Sequence, residues 1–304
     1  MQTFKDFDVL VIDNGSEDGS MDKLKSSSLK LTVKRAGENL GFAVGNNEMV
    51  KDACGVWLAF LNPDAYADPN WLKEFAAATK RYPHIEAFGS TQIDALNPKT
   101  LDGAGDVYHI LGIAYRGYYG WDVAKLPEGG EVFAACGAGA FYKAQTFREL
   151  GGFEPRFFCY CEDVDLGYRL RLNGGRTIQL SQAVIRHEGS AITGRHSDFT
   201  IYHGHRNRIW AAYRNTPFWL YWPFLPLHLL ANLYLLVRTP MFGVTKPFVK
   251  GIVDGYKGLP QFKADRKTLL KNRKVSYGQL IGTIEWSPFK ILTRKGKNWR
   301  YPRN

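Results

Sequence analysis

Four carboxylates and one imidazole stand where this chain could do chemistry. Asp13 closes the apolar run Phe7-Asp-Val-Leu-Val-Ile-Asp13, and Asp64 follows another, Val56-Trp-Leu-Ala-Phe-Leu61, through Asn62-Pro63. A carboxylate at the carboxyl end of a buried strand can accept from a nucleobase or ribose, or hold a divalent cation on a diphosphate. Each can equally cap the turn or helix that follows. Glu162 and Asp163 come after Phe157-Phe158-Cys159-Tyr160-Cys161. In that apolar setting, beside a like charge, a carboxyl group acquires the proton affinity of a general base, although Asp163 also reads as the cap of the helix it opens. His187 ends Ala-Val-Ile-Arg-His187. It is a metal ligand if it faces the rim that carries Asp64, and otherwise an ordinary polar residue at a strand end.

The elements that must position these groups follow from pattern. Strands are expected at Phe7–Asp13, Leu31–Arg35 and Val56–Leu61, with helices near 43–53 and from Asp68-Pro69 to about Tyr82. Strand–helix alternation over the first 90 residues predicts a mostly parallel sheet with helices on its faces. Residues 100–132 read as irregular, and 131–142 as a strand interrupted at Gly137-Ala-Gly139. A helix should run from Glu162 to about Asn173, closed by Gly174-Gly175, before short strands at 176–180 and 183–187.

Composition places these elements in two domains, 1–205 and 206–304. The chain has 304 residues, 45% of them apolar, enough for a real core. Cys54, Cys136, Cys159 and Cys161 match no zinc spacing and read as reduced thiols of a cytosolic protein. Residues 1–8 are polar and lead straight into a strand, so no signal peptide is expected. The net charge of +11 sits at the other end: residues 246–304 hold 15 Lys and Arg against Asp254, Asp265 and Glu285. Such a tail suits anionic lipid headgroups. It lacks zinc-finger or RNA-recognition signatures, so nucleic acid is not an expected partner. Pro217 to Val237 carries no formal charge but holds Pro217, Pro223 and Pro226 together with Trp219, Tyr221, Trp222 and Tyr234. A helix lying in the membrane interface is expected, with a span or a buried helix as the alternatives.

Taken in order, several stretches resemble glycosyltransferase family 2, in particular its rhamnosyltransferase-like and galactofuranosyltransferase-like members. They are Val11-Ile-Asp13-Asn-Gly-Ser-Glu-Asp-Gly-Ser20, Glu38-Asn-Leu-Gly-Phe-Ala-Val-Gly-Asn-Asn47, Leu61-Asn-Pro-Asp64, Leu101-Asp-Gly-Ala-Gly105, Glu162-Asp-Val-Asp-Leu166 with Arg169 and Arg171, and His187 with Gly189-Ser190. The resemblance implies a GT-A fold, a Rossmann-like α/β sheet followed here by a membrane-proximal helical extension. It implies a nucleotide-sugar site of Asp13, Asn14, Asn39, Gly41, Asn47 and Asn62. Asp64 and His187 would hold a divalent cation, Mg²⁺ or Mn²⁺, with Asn62 in place of the family's first aspartate. Asp163, beside Glu162, would be the base of an inverting transfer. The expected reaction moves a sugar, with rhamnose a candidate, from a nucleoside-diphosphate donor to a lipid-linked or cell-surface glycan. It would run at the cytoplasmic face of the membrane; the alternative is a catalytically inactive, glycosyltransferase-like binding protein. Family members usually begin with one more strand and helix, and that central strand is expected to be missing here.

Overall fold

The computed structural model describes residues 1–24, 30–189, 197–296 and 301. The apolar run at the start forms β1 (Val9–Asp13), which pairs in parallel with β2 (Leu31–Arg35), Asp13 lying opposite Arg35. Helix α1 (Gly41–Val50), β3 (Trp57–Leu61), the short β4 (Ala65–Ala67), α2 (Trp71–Arg81) and β5 (Ala87–Asp94) follow. On α2, Trp71, Leu72, Phe75 and Ala78 recur at helical spacing and are buried. Phe75 stacks on Phe141 at 4.0 Å between ring centroids. This helix starts later than Asp68-Pro69 predicts, because its first turn is capped from a distance. Gln2 Oε1 accepts the Leu72 N–H, and Gln2 Nε2 donates to the Asp68 carbonyl.

Next come β6 (Leu101–Ala104), β7 (Asp106–His109), β8 (Ile113–Arg116), β9 (Gly129–Val132), β10 (Gly139–Lys143), α3 (Ala144–Glu149), α4 (Glu162–Leu172) and β11 (Thr177–His187). The main sheet has seven strands in the order β3-β10-β5-β11-β4, with β6 on β5 and β9 on β11. Its sheet is mixed, not mostly parallel: β5 and β11 run parallel, and the other ladders are antiparallel. The strand–helix alternation does orient β3 and β5 the same way, but β10 inserts between them from 80 residues further on. Pairing of that range leaves no local signature. The strands expected at 176–180 and 183–187 are one strand, kinked where the register shifts between Leu180 and Val184. Residues 100–132, expected to be irregular, contain four-residue strands too short to show a period.

Sheet β1–β2 stands apart. Among the described residues no strand lies between β1 and β3, and both strands line one cleft of about 2490 Å³.

The rest is helical: α5 (Asp198–Asn215), α6 (Phe218–Arg238), α7 (Thr245–Lys257), α8 (Lys263–Lys271), α9 (Tyr277–Thr283) and α10 (Pro288–Thr293). Helix α5 runs unbroken through the expected 205/206 division, and its second half is buried. Asp165 of α4 holds it there by accepting from Arg214 at 2.7 Å and Asn215 at 2.8 Å, while Arg169 of its own helix donates at 2.8 Å. Two guanidinium groups and an amide satisfy a fully buried carboxylate.

Candidate active site

The cleft collects side chains from the ends of β1, β3 and β11 and from the start of α4. Asn14 Oδ1 accepts the Leu40 N–H at 2.8 Å, and Asn14 Nδ2 donates to Asn39 Oδ1 at 3.1 Å. Asn39 Oδ1 also accepts from Gly41 N at 2.9 Å. Gly41 has φ +74°, and a Cβ there would lie 2.5 Å from the Phe158 ring, so only glycine fits. Asn14, Asn39, Gly41 and Asn62 all line the cleft. Two expected nucleotide residues do not. Asp13 turns back to accept the Ser16 N–H at 2.8 Å, and that bond holds its pKa below the ordinary carboxylate range. The capping role open to Asp13 is the one it takes. Asn47 spends both ends of its amide on the Phe153 backbone, at 2.7 and 2.9 Å.

Asp64 and His187 do meet: Oδ1 and Nε2 lie 3.3 Å apart, both buried, and neither makes a well-directed hydrogen bond. Antiparallel β4 and β11 put His187 opposite Ala65, next to Asp64. His187 Nδ1 is 2.7 Å from Asp102 Oδ2, and Arg116 pairs with the same carboxylate. The His187–Asp102 pairing is the type that orients a metal-binding imidazole. Burial opposes protonation of His187, but carboxylates on both ring nitrogens outweigh it and lift its pKa to about 8. The His187 ring beside it correspondingly lowers the pKa of Asp64. A buried oxygen and nitrogen facing each other without a hydrogen bond are a donor pair suited to Mn²⁺ or Mg²⁺.

The His187 value carries a prediction. Because its folded pKa lies above the ordinary 6.5, protonation of His187 stabilises the metal-free fold fully below pH 6.5, and that stabilisation is lost as pH rises through about 8. Thermal unfolding in a chelator should therefore show a loss on the order of 2 kcal/mol across this window. His187→Gln should flatten the profile.

Asp163 accepts from Gly137 N and Val164 N, both at 2.8 Å, and burial raises its pKa. Burial, then the nearby Asp163 charge, push the Glu162 pKa well above the usual carboxylate range. Ligand-type atoms of Asp106, Cys136 and Asp163 lie within 4.8 Å of one another. Burial and Asp163 likewise raise Asp106, while the Arg116 charge lowers Asp163 and Asp106 alike. Arg116 thus couples the Asp102–His187 pair to the Asp163 end of the cleft.

The loop before Glu162 is strained. Phe158, Tyr160 and Cys161 have φ of 66°, 73° and 64°, each costing on the order of 1–3 kcal/mol. Asn207, fully buried on α5, holds the loop by sharing its Nδ2 hydrogens among the carbonyls of Phe157, Cys159 and Tyr160, each at 2.8 Å. Asn207→Ala should cost roughly 2–4 kcal/mol in urea unfolding and impair the site around Asp163 more than cleft binding.

Sequence reasoning singled out neither Asp106, Arg116 nor Asn207, and gave Asp102 no role. No spacing signal points to Asp106 or Arg116. Asn207 lies in His205-Arg-Asn-Arg-Ile-Trp210, a stretch given no role above. Ser190 falls outside the described residues.

Known proteins resemble this chain in sequence and in fold. The family model described as "Glycosyl transferase family 2" matches residues 1–151. An N-acetylglucosaminyl-diphospho-decaprenol L-rhamnosyltransferase of Mycobacterium tuberculosis (strain ATCC 25618 / H37Rv) is 26% identical over 250 residues, which cover 72% of this chain and 79% of that protein. The O-antigen biosynthesis protein RfbC of Myxococcus xanthus is 32% identical over 163 residues, 48% of this chain but 12% of RfbC. Among solved structures, S. aureus TarS 1-349 superposes with a TM-score of 0.52 at 17% identity, covering 88% of this chain and 78% of that one. GalNAc-T7 with UDP, GalNAc and Mn²⁺ superposes with a TM-score of 0.51 at 14% identity, covering 67% and 41%. These likenesses show the GT-A fold. With the family's stretches in order along the sequence and its sheet present in the fold, residues 1–151 form a glycosyltransferase family 2 domain.

Proposed function

We propose that this glycosyltransferase is an inverting, metal-dependent enzyme that moves a sugar, rhamnose being one candidate, from a nucleoside-diphosphate donor to a hydroxyl of a lipid-linked glycan. The observation that carries this reading is that Asp64, His187 and Asp163 line one cleft with Asn14, Asn39 and Gly41. Asn14, Asn39, Gly41 and Asn62 bind the nucleotide, and Asp13 braces the turn that presents Asn14. Asp64 and His187 would hold Mg²⁺ or Mn²⁺, which when bound offsets charge on the departing diphosphate. Asp163 takes the proton of the acceptor hydroxyl as its oxygen attacks the anomeric carbon from the face opposite the diphosphate. Gly137 N–H and Val164 N–H fix the orientation of that carboxylate.

Helix α6 supports a membrane-surface location at the cytoplasmic face through the extension from residue 206. Its buried positions include His228 and Asn232, while Leu229, Leu230, Leu233 and Val237 are exposed. His228 Nε2 donates to the Ile110 carbonyl at 2.8 Å. A helix pinned by polar groups and apolar on the outside needs an apolar surrounding. By length and composition Phe218–Phe242 is long enough to cross a membrane, but its prolines and aromatic residues favour lying in the interface.

A second reading, a catalytically inactive binding protein, draws on Asn62 and on the open cleft between β1 and β3. Metal-dependent hydrolysis of a panel of nucleotide-sugars separates the two. Hydrolysis of one member of the panel is expected, and the transferase reading fails if calorimetry shows no metal-dependent binding of any nucleoside diphosphate.

A further inference from the structure

Arg208 of α5 is buried, 9% exposed, and lines the cleft. Among the described residues no carboxylate pairs with it. One guanidinium nitrogen donates to Asn232 Oδ1, and its Nε has no partner. The titratable groups that interact with it, Cys161, Tyr256, Tyr108, His205 and His228, carry no negative charge at physiological pH. A desolvated guanidinium without a counter-ion is an expensive feature for a fold to keep, and an anion from outside relieves it.

The surroundings identify the anion's carrier. On α5, Gly204, His205 and Arg208 recur along one face and line the cleft; on α6, Leu227, Leu230, Ala231 and Leu235 do the same, joined toward the C-terminal end of the helix by Tyr234 and Arg238. One wall therefore holds the buried cation, and the first part of the other is aliphatic. At its inner end the Gly204 carbonyl meets Cys161 Sγ at 3.8 Å, two residues from Asp163. At its outer end lies the apolar side of α6, where Leu230 is 60% exposed. A free nucleotide or bare phosphate has no use for the aliphatic wall, and a neutral lipid has no use for Arg208.

We propose that the groove between α5 and α6 is the seat of the acceptor: an aliphatic lipid whose phosphate or diphosphate head pairs with Arg208 while its chain runs outward along Leu227, Leu230 and Leu235. This deepens the transferase reading and rests on it for the identity of the acceptor. Guanidinium binds phosphate oxygens bidentately, so Arg208 sets how deep the head enters and presents the attached sugar to Asp163.

The test is equilibrium binding of farnesyl diphosphate to the full chain in detergent micelles, with Mn²⁺ and a saturating nucleoside diphosphate occupying the donor site. Arg208→Gln and Leu230→Ser are each expected to weaken binding about tenfold or more, and Arg208→Lys less, since a point charge keeps part of the interaction. Inorganic diphosphate and farnesol should each compete poorly. Unchanged affinity in Leu230→Ser, whose exposed position leaves folding unaffected, overturns the proposal. So does inorganic diphosphate competing as well as the lipid, which would mean a bare anion site. Nucleotide-sugar hydrolysis by the unsubstituted chain is measured in parallel. Its absence would sink the transferase reading even where farnesyl diphosphate binds as expected.

Discussion

Replacing Asp163 by Asn should lower the turnover number by about 10²–10⁴-fold, the range general-base catalysis supplies, while leaving the donor's dissociation constant within about twofold. The substitution keeps the shape of the side chain and its acceptor for one of the two backbone N–H groups that hold it, Gly137 and Val164. What it removes is the site for the acceptor's proton. Burial raises the Asp163 pKa, so in the unsubstituted enzyme kcat should rise with pH as this carboxyl ionises. The Asn variant should lose that limb. Single-turnover kinetics with a saturating donor and calorimetry of donor binding read the two quantities separately. Unchanged turnover would remove Asp163 from the mechanism.

The second large effect belongs to Asp64. Asp64→Asn should abolish the metal dependence of nucleoside diphosphate binding. The remaining nitrogen ligand of His187 cannot by itself hold a hard cation against water. Asp102→Asn provides the graded comparison. Asp102 lies 2.7 Å from His187 Nδ1, on the far side of the ring from Asp64, and its replacement should weaken metal affinity about 10–100-fold without removing a ligand. Calorimetric titration of Mn²⁺ in the presence of a nucleoside diphosphate measures both. Equal affinities in all three proteins would mean that the cation sits elsewhere.

Local signals in the sequence were enough to find the groups these two experiments probe. An apolar run that stops at Leu61 puts Asp64 at a strand end, and one that stops at His187 does the same for the imidazole. The helix opened by Glu162 begins where that pair predicts. Such signals are short-range, since burial and capping are set within a few residues of the side chain concerned. For Asp13 the local alternative won, the cap on the Ser16 N–H three residues on. Tertiary structure alone decided how Asn47 was spent: it carries the right chemistry for a nucleotide, yet the distant Phe153 backbone takes its hydrogen bonds. Asp102, Arg116 and Asn207 acquire their roles through partners between 14 and 85 positions away. Residues separated by such lengths of chain meet only when the sheet order does, and here that order depends on β10 entering between β3 and β5. No spacing in the sequence encodes that insertion, because strand pairing is decided by which edges are open when the core packs.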